Sequence, residues 1–237
     1  MAEAMTAEVL GAQERRNSGT TWTRNDKFEK DGYLVVKDLW DAEDLYHPLP
    51  DMKGQLNYWS KDVTKFNHNP VEGQVDGSLA RYWHPQYRNA HTGIRRKLEK
   101  IIGRTLYNTY YYDRFYFPGQ ELTRHADRDA CEISVSIHVS TNLPDKLKDW
   151  PFKIKTPDTY TDDKKTAVLI PGEERSAILN PGDGLLYKGC ERPHWRDPIP
   201  TPEKVEAAPK EYYYHQIFFH YVLQDGQRAH CAWDRGK

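Results

Sequence analysis

The stretch FYFPGQELTRHADRDACEISVSIHV, residues 115–139, decides how this chain folds. Its second half alternates. Cys131, Ile133, Val135, Ile137 and Val139 are apolar, whereas Glu132, Ser134, Ser136 and His138 are polar, which is the two-residue period of a strand with an inward apolar face. Carried backward, the same register predicts His125 and Asp127 on that inward face, an imidazole and a carboxylate two residues apart at one strand edge. Further along, NPGDGLLYKGCERPHWRDP (residues 180–198) delivers His194 just after another strand. Two histidines and one carboxylate leave half of an octahedral sphere open, the arrangement for a non-haem Fe(II) that must bind a cosubstrate and dioxygen. Zinc accepts the same ligands.

Working outward, LYNTYYYDRFYF, CEISVSIHVS, WPFKIK, TAVLIPG, RSAILN, DGLLYKG and YYYHQIFFHYVL read as strands separated by Pro, Gly and Asp turns. Seven strands with few helices predict an all-β core with flanking helices, a barrel or jelly roll. DKFEKDGYLVVKDLW predicts a short helix around Phe28, a break at Gly32 and a strand over residues 33–36, with a further helical start at Asp41. Residues 48–91 read as a long packed loop region. In GIRRKLEKIIG, Ile94, Leu98, Ile101 and Ile102 share a face, with Thr92 as cap and Gly103 as terminator; its RRKLEK face reads as solvated surface. The domain is expected over residues 25–237, after a mobile lead-in at 1–24. The segment 197–211, with four prolines, is expected to be an exposed excursion between strands.

Composition narrows the class. A mean hydropathy of −0.90 argues against a membrane-embedded chain. Thirty-four basic and thirty-five acidic residues give a net charge of −1, so no bulk field draws the chain to nucleic acid or anionic membrane. Cys131, Cys190 and Cys231 form no CxxC pair and indicate neither a disulfide framework nor a zinc ribbon; with no secretory signal at the start, a reducing, cytoplasmic setting is expected.

The run RFYFPGQELxxHxD, followed by PGDxLLYxG and HWRDP, resembles the Fe(II)- and 2-oxoglutarate-dependent oxygenases built on the double-stranded β-helix (jelly roll, cupin-like), in particular small bacterial and phage members related to prolyl 4-hydroxylases and phytanoyl-type hydroxylases. The likeness spans about residues 104–224, and DKFEKDGYLVVK is similar to the helix and strand that open many of these enzymes. It implies that His125, Asp127 and His194 ligate Fe(II), and that 2-oxoglutarate and dioxygen are co-reactants with ascorbate a candidate reductant. The carboxylate at Asp127, which halogenating members lack, implies hydroxylation. Tyr110, Tyr112, Arg114 and Tyr116 share one strand face, so the resemblance implies cosubstrate contacts from Tyr112, Arg114 and Tyr116. The far carboxylate needs a cation: Lys204 stands ten residues past His194, where relatives place the anchor, but its surroundings do not read as a strand, and Arg196, sharing the parity of His194, is the better candidate. Salt bridges to Asp183 or Asp197 are the structural alternative for Arg196.

Among other residues, Arg128 reads as a mouth residue for substrate or an ion pair with Asp129, Trp195 as packing beside the metal, and His215 and His220 as hydrogen-bonded core. The implied substrate is first a prolyl residue in a peptide, then a small free metabolite such as an amino acid. A non-catalytic metal-binding jelly-roll module is the alternative from another class.

Overall fold

In the computed structural model, which describes residues 22–47, 75, 78–145, 147–161, 167–201 and 212–234, the two longest aromatic runs become neighbouring strands. They are β3 (Leu106–Tyr116) and β12 (Tyr214–Leu223), antiparallel, with Tyr214 opposite Tyr116 and Leu223 opposite Leu106. With β1 (Tyr33–Val36), β2 (Leu79–Tyr82), β5 (Ile133–Thr141) and β10 (Gly184–Tyr187) they form a six-stranded sheet in the order β1-β10-β5-β12-β3-β2. A second sheet runs β4-β11-β6-β9 through β4 (Leu122–His125), β11 (His194–Arg196), β6 (Phe152–Lys155) and β9 (Glu174–Ala177). Strands β7 (Thr159–Tyr160) and β8 (Leu169–Ile170) make a small exposed hairpin. All pairings are antiparallel, and the two main sheets form the expected double-stranded β-helix core. Of the segments expected to lie in loops, residues 1–21, 48–74 and 202–211, Lys204 included, fall outside the described residues.

Helix α1 (Asp26–Asp31) opens at Asn25, whose side chain accepts from Phe28 N–H, and closes at Gly32 in the left-handed region at φ 75°. The helical start expected at Asp41 is a single 3-10 turn over Glu43–Leu45, where Asp41 Oδ1 accepts from Glu43 N–H. Helix α2 (Arg88–Ile102) begins four residues before Thr92, which therefore caps nothing: a 3-10 turn over Pro85–Tyr87 runs directly into it, and Pro at the first position suits that entry. Its end at Gly103 is as expected, with φ 71°.

The large sheet is buried on both sides, and this corrects the expected polarity of β5. Its apolar residues Ile133, Val135, Ile137 and Val139 pack outward against Ile94, Leu98 and Ile102 of α2, together with Ile217 and Phe219. The polar Ser134, Ser136 and His138 face the barrel interior. The RRKLEK face is not fully solvated either. Arg95 and Glu99 are buried, and Glu99 Oε1 accepts from Leu106 N–H while Arg95 donates to Leu106 C=O, so the pair clamps the helix to the start of β3.

One ionic cluster sits on the helix side of the sheet. Asp113 is fully buried and receives Arg81 Nε at 3.0 Å and His215 Nε2 at 2.7 Å, fulfilling the hydrogen-bonded core role expected of His215. Burial alone would raise this carboxyl, but Arg81 and His215 hold it well below the ordinary value. Asp113→Asn leaves Arg81 without its counter-charge and is expected to lower unfolding stability by about 3–5 kcal/mol near pH 7 in urea melts. Because the native carboxyl is depressed, its stabilisation is present above the unfolded-state value and lost on acidification, so the gap between the two proteins should narrow below about pH 4.

Candidate metal centre

Strands β4 and β11 are only four and three residues long, but they pair so that His194 lies directly opposite His125. The ring centroids are 4.3 Å apart. In each ring Nδ1 hydrogen-bonds a backbone carbonyl two residues earlier, His125 to Thr123 O at 2.7 Å and His194 to Arg192 O at 2.9 Å. With the proton held at Nδ1, each Nε2 presents a lone pair. Both Nε2 atoms point to Asp127 Oδ1, at 3.5 Å from His125 and 3.6 Å from His194. One donor atom from each of the three residues lies within 4.8 Å of the others, a spacing one divalent ion can span.

Asp127 does not continue the β5 register. A 3-10 turn over Asp129–Cys131 separates the two, and this turn lets an odd-numbered carboxylate join the interior that the even-numbered residues of β5 line. Burial would raise the Asp127 carboxyl, yet His194, His125 and His220 hold it at about 2, so it is charged at neutral pH. His194 is shifted down by burial; His125 is shifted up despite its burial, by hydrogen bonds to Asp127 and Thr123. Gly189 closes one side of the carboxylate. Its carbonyl accepts from Asp127 N–H at 2.9 Å, and a Cβ there would overlap both the Cys131 carbonyl and Asp127 Oδ2 and lie 2.8 Å from Ser134 Oγ.

Arg196, two residues after His194, also points inward and is 1% exposed. Neither acidic alternative takes it: Asp183 pairs with Lys37 and Asp197 with Lys153. Instead its guanidinium donates to Trp150 C=O and to Gln216 Oε1 at 2.9 Å, beneath the rings of Trp150, Phe152 and Tyr214. Around it, the donors Arg196 Nε and Gln216 Nε2 are buried without hydrogen-bond partners, and Tyr214 Oη lies against the guanidinium. Each such buried group costs about 1–3 kcal/mol, and a bound carboxylate is the kind of acceptor that would relieve it. Arg114 Nη1 approaches Tyr116 Oη at 3.4 Å, in the cross-strand row that holds Gln216 and His138. The donor set thus fits a dianionic keto acid beside a metal.

Other expected positions fare differently. Tyr112 lies on the interior face but is committed to a ring stack between Tyr82 and Phe218. Trp195 does not pack beside the metal; strand alternation turns it to the other side of β11, under the guanidinium of Arg124. Arg128 ion-pairs with Asp234, and Asp129 with Arg228. Tyr214, Gln216, His138 and Trp150 escaped the sequence reading, although polar residues at alternate positions of the aromatic run 212–223 carried the signal.

No protein-family model and no curated protein matches the chain. The fold is similar to that of solved Fe(II)/2-oxoglutarate oxygenases. An oxidoreductase of the 2OG-Fe(II) oxygenase family from Burkholderia pseudomallei superposes with a TM-score of 0.51 at 10% identity, covering 90% of this chain and 97% of that one. EctD from S. alaskensis, solved with 2-oxoglutarate and 5-hydroxyectoine, superposes with a TM-score of 0.51 at 15% identity, covering 85% and 79%. At these identities the likeness is one of fold.

Gly189→Ala is expected to displace Asp127 and to weaken Co(II) binding by about tenfold or more, read by absorption titration, with the far-UV spectrum unchanged. Since His125 must lose its proton to bind a metal and titrates above its ordinary 6.5, Co(II) affinity should fall on acidification beginning above pH 6.5.

Proposed function

We propose that this chain is an Fe(II)- and 2-oxoglutarate-dependent dioxygenase that hydroxylates an unactivated C–H bond, carried by a single domain over residues 25–237. The observation that carries the reading is the convergence of His125 Nε2, His194 Nε2 and Asp127 Oδ1 on one point within a barrel whose interior also holds Arg196. His125, Asp127 and His194 hold the metal. Arg196 receives the far carboxylate of 2-oxoglutarate, with Tyr214, Gln216 and the Arg114–Tyr116 pair beside it. When bound, iron and the keto acid supply with dioxygen an oxidant for C–H bonds, succinate and carbon dioxide being the co-products. The protein's part is to aim both imidazole Nε2 atoms at a charged carboxylate, to bring the cosubstrate charge to Arg196, and to keep bulk water from a centre whose side chains are 19%, 11% and 2% exposed. A structural zinc site takes four protein ligands and a catalytic one keeps an open position, so the three-donor group His125, Asp127 and His194 found among the described residues favours catalysis over a non-catalytic module, even though Asp127 also lies near Cys131 and His220.

For the substrate we propose a prolyl residue in a peptide. The half-buried ring of Tyr82, which ends the stack Tyr82–Tyr112–Phe218, is the flat apolar surface proposed to meet a pyrrolidine ring. The small exposure of the ligands favours a second reading, a free metabolite; EctD is solved with 2-oxoglutarate and 5-hydroxyectoine. Ascorbate is proposed as the reductant that restores Fe(II).

Succinate formation from 2-oxoglutarate, measured with Fe(II) and a panel of prolyl peptides and free amino acids, tests the reading. Wild type should turn over and Asp127→Ala should lose at least about a hundredfold, while Arg196→Leu should mainly raise the KM for 2-oxoglutarate, by tenfold or more if a charge-assisted contact of about 1.5–3 kcal/mol is lost. Undiminished turnover in Asp127→Ala would remove that residue from the ligand set.

A further inference from the structure

The two oxygens of Asp127 meet different partners. Oδ1 faces the two imidazoles, whereas Oδ2 lies 3.1 Å from Ser134 Oγ. Ser134 is fully buried on β5 and sits opposite His220 of β12 in the sheet register, with Ser134 Oγ 2.9 Å from His220 Nδ1. We propose that His220 and Ser134 are positioning residues for the metal-binding carboxylate: His220 Nδ1–H donates to Ser134 Oγ, and the Ser134 hydroxyl donates to Asp127 Oδ2. This inference rests on the metal-centre reading above.

The direction of the relay follows from counting protons. A serine hydroxyl has one hydrogen, and a neutral imidazole has one N–H. Were His220 protonated at Nε2, its Nδ1 would have to accept the Ser134 hydrogen. Asp127 Oδ2 would then lose its donor, and the Nε2–H would be buried in a place where Nε2 has no partner. Protonation at Nδ1 leaves only a bare lone pair at Nε2 and releases the serine hydrogen for an acceptor. Two acceptors compete for it, Asp127 Oδ2 and Cys131 C=O, both at 3.1 Å; the charged oxygen makes the stronger bond. His220 is itself fixed, its ring stacked on Tyr110 at 4.5 Å, and burial holds it neutral by lowering it to about 4.

The consequence is coordinative. An oxygen held by a hydrogen-bond donor is withheld from the metal, so Asp127 offers Oδ1 alone. Three protein donor atoms leave three octahedral positions, the number that a chelating keto acid and dioxygen require together. A carboxylate free to turn could take a fourth position.

The test uses the full chain and Co(II) as probe, titrated by visible absorption, on wild type, Ser134→Ala, Ser134→Thr and His220→Phe. The last keeps a ring against Tyr110 and removes the N–H. The proposal expects Ser134→Ala and His220→Phe to raise the Co(II) dissociation constant by about 10–100-fold and to change the d–d spectrum, with Ser134→Thr, which retains the hydroxyl, restoring wild-type affinity within about threefold. Thermal melts of the metal-free proteins identify any variant that is simply unfolded, and the remaining variants decide the matter. Wild-type affinity and spectrum in both Ser134→Ala and His220→Phe would overturn the relay while leaving the metal centre standing. Failure of wild type itself to bind Co(II) would overturn the metal centre and the relay with it.

Discussion

The pairing of β4 with β11 sets His194 across from His125, and the metal centre depends on this register. Side chains directly opposite on antiparallel strands stand about 4.5–5.5 Å apart at Cβ, so two imidazoles placed there need only a common tilt to converge. The tilt comes from the backbone, since each Nδ1 is held by the carbonyl two residues before it. The third donor arrives by a different route. Asp127 leaves the strand and is caught by Gly189, Ser134 and the turn into β5, and these contacts select its orientation. A one-residue slip between the two short strands would send one imidazole to the far side of the sheet, where Trp195 now lies.

The interior explains why so small a pair of strands can be held so firmly. The large sheet buries both faces, but with different chemistry on each. Toward α2 it is aliphatic and packs as an ordinary core, stiffened by the Arg81–Asp113–His215 cluster and by the Arg95–Glu99 clamp. Toward the second sheet it is aromatic and polar, with Tyr214, Gln216, His138 and Arg196 close together and several polar atoms buried without partners. A folding protein gains nothing from such groups; they cost stability unless a ligand meets them. Those around the Arg196 guanidinium stand alongside a charged carboxylate and two imidazoles, the donor set that the proposed cosubstrate site requires.

Much of this was legible in the chain itself, and the failures have physical causes. His125, Asp127 and His194 could be found because H-x-D after a Pro-Gly turn and a histidine after a Gly-Asp-Gly strand are local signals. Arg196 followed from parity with His194. The polarity of β5 misled because alternation normally separates core from water, and here it separates core from a polar interior; Ser134 and His138 are polar because they line the site. The strands β2, β4 and β11 (LARY, LTRH and HWR) were not visible because they lack the apolar run or alternation that marked the equally short β1 and β6. Arg95 and Glu99 looked like solvated charges, yet the start of β3 offers them a backbone N–H and a C=O to satisfy. Trp195 was assigned by sequence adjacency to His194, whereas in a strand adjacent residues face apart.

The account stands on three donor atoms meeting in a barrel whose interior also holds the Arg196 guanidinium. The most direct measurement is anaerobic titration of Fe(II) and 2-oxoglutarate into the purified chain, followed by visible absorption. The account predicts a weak metal-to-ligand charge-transfer band that needs both additions and saturates at one equivalent of each. Fe(II) binding with no such band at saturating 2-oxoglutarate would contradict it.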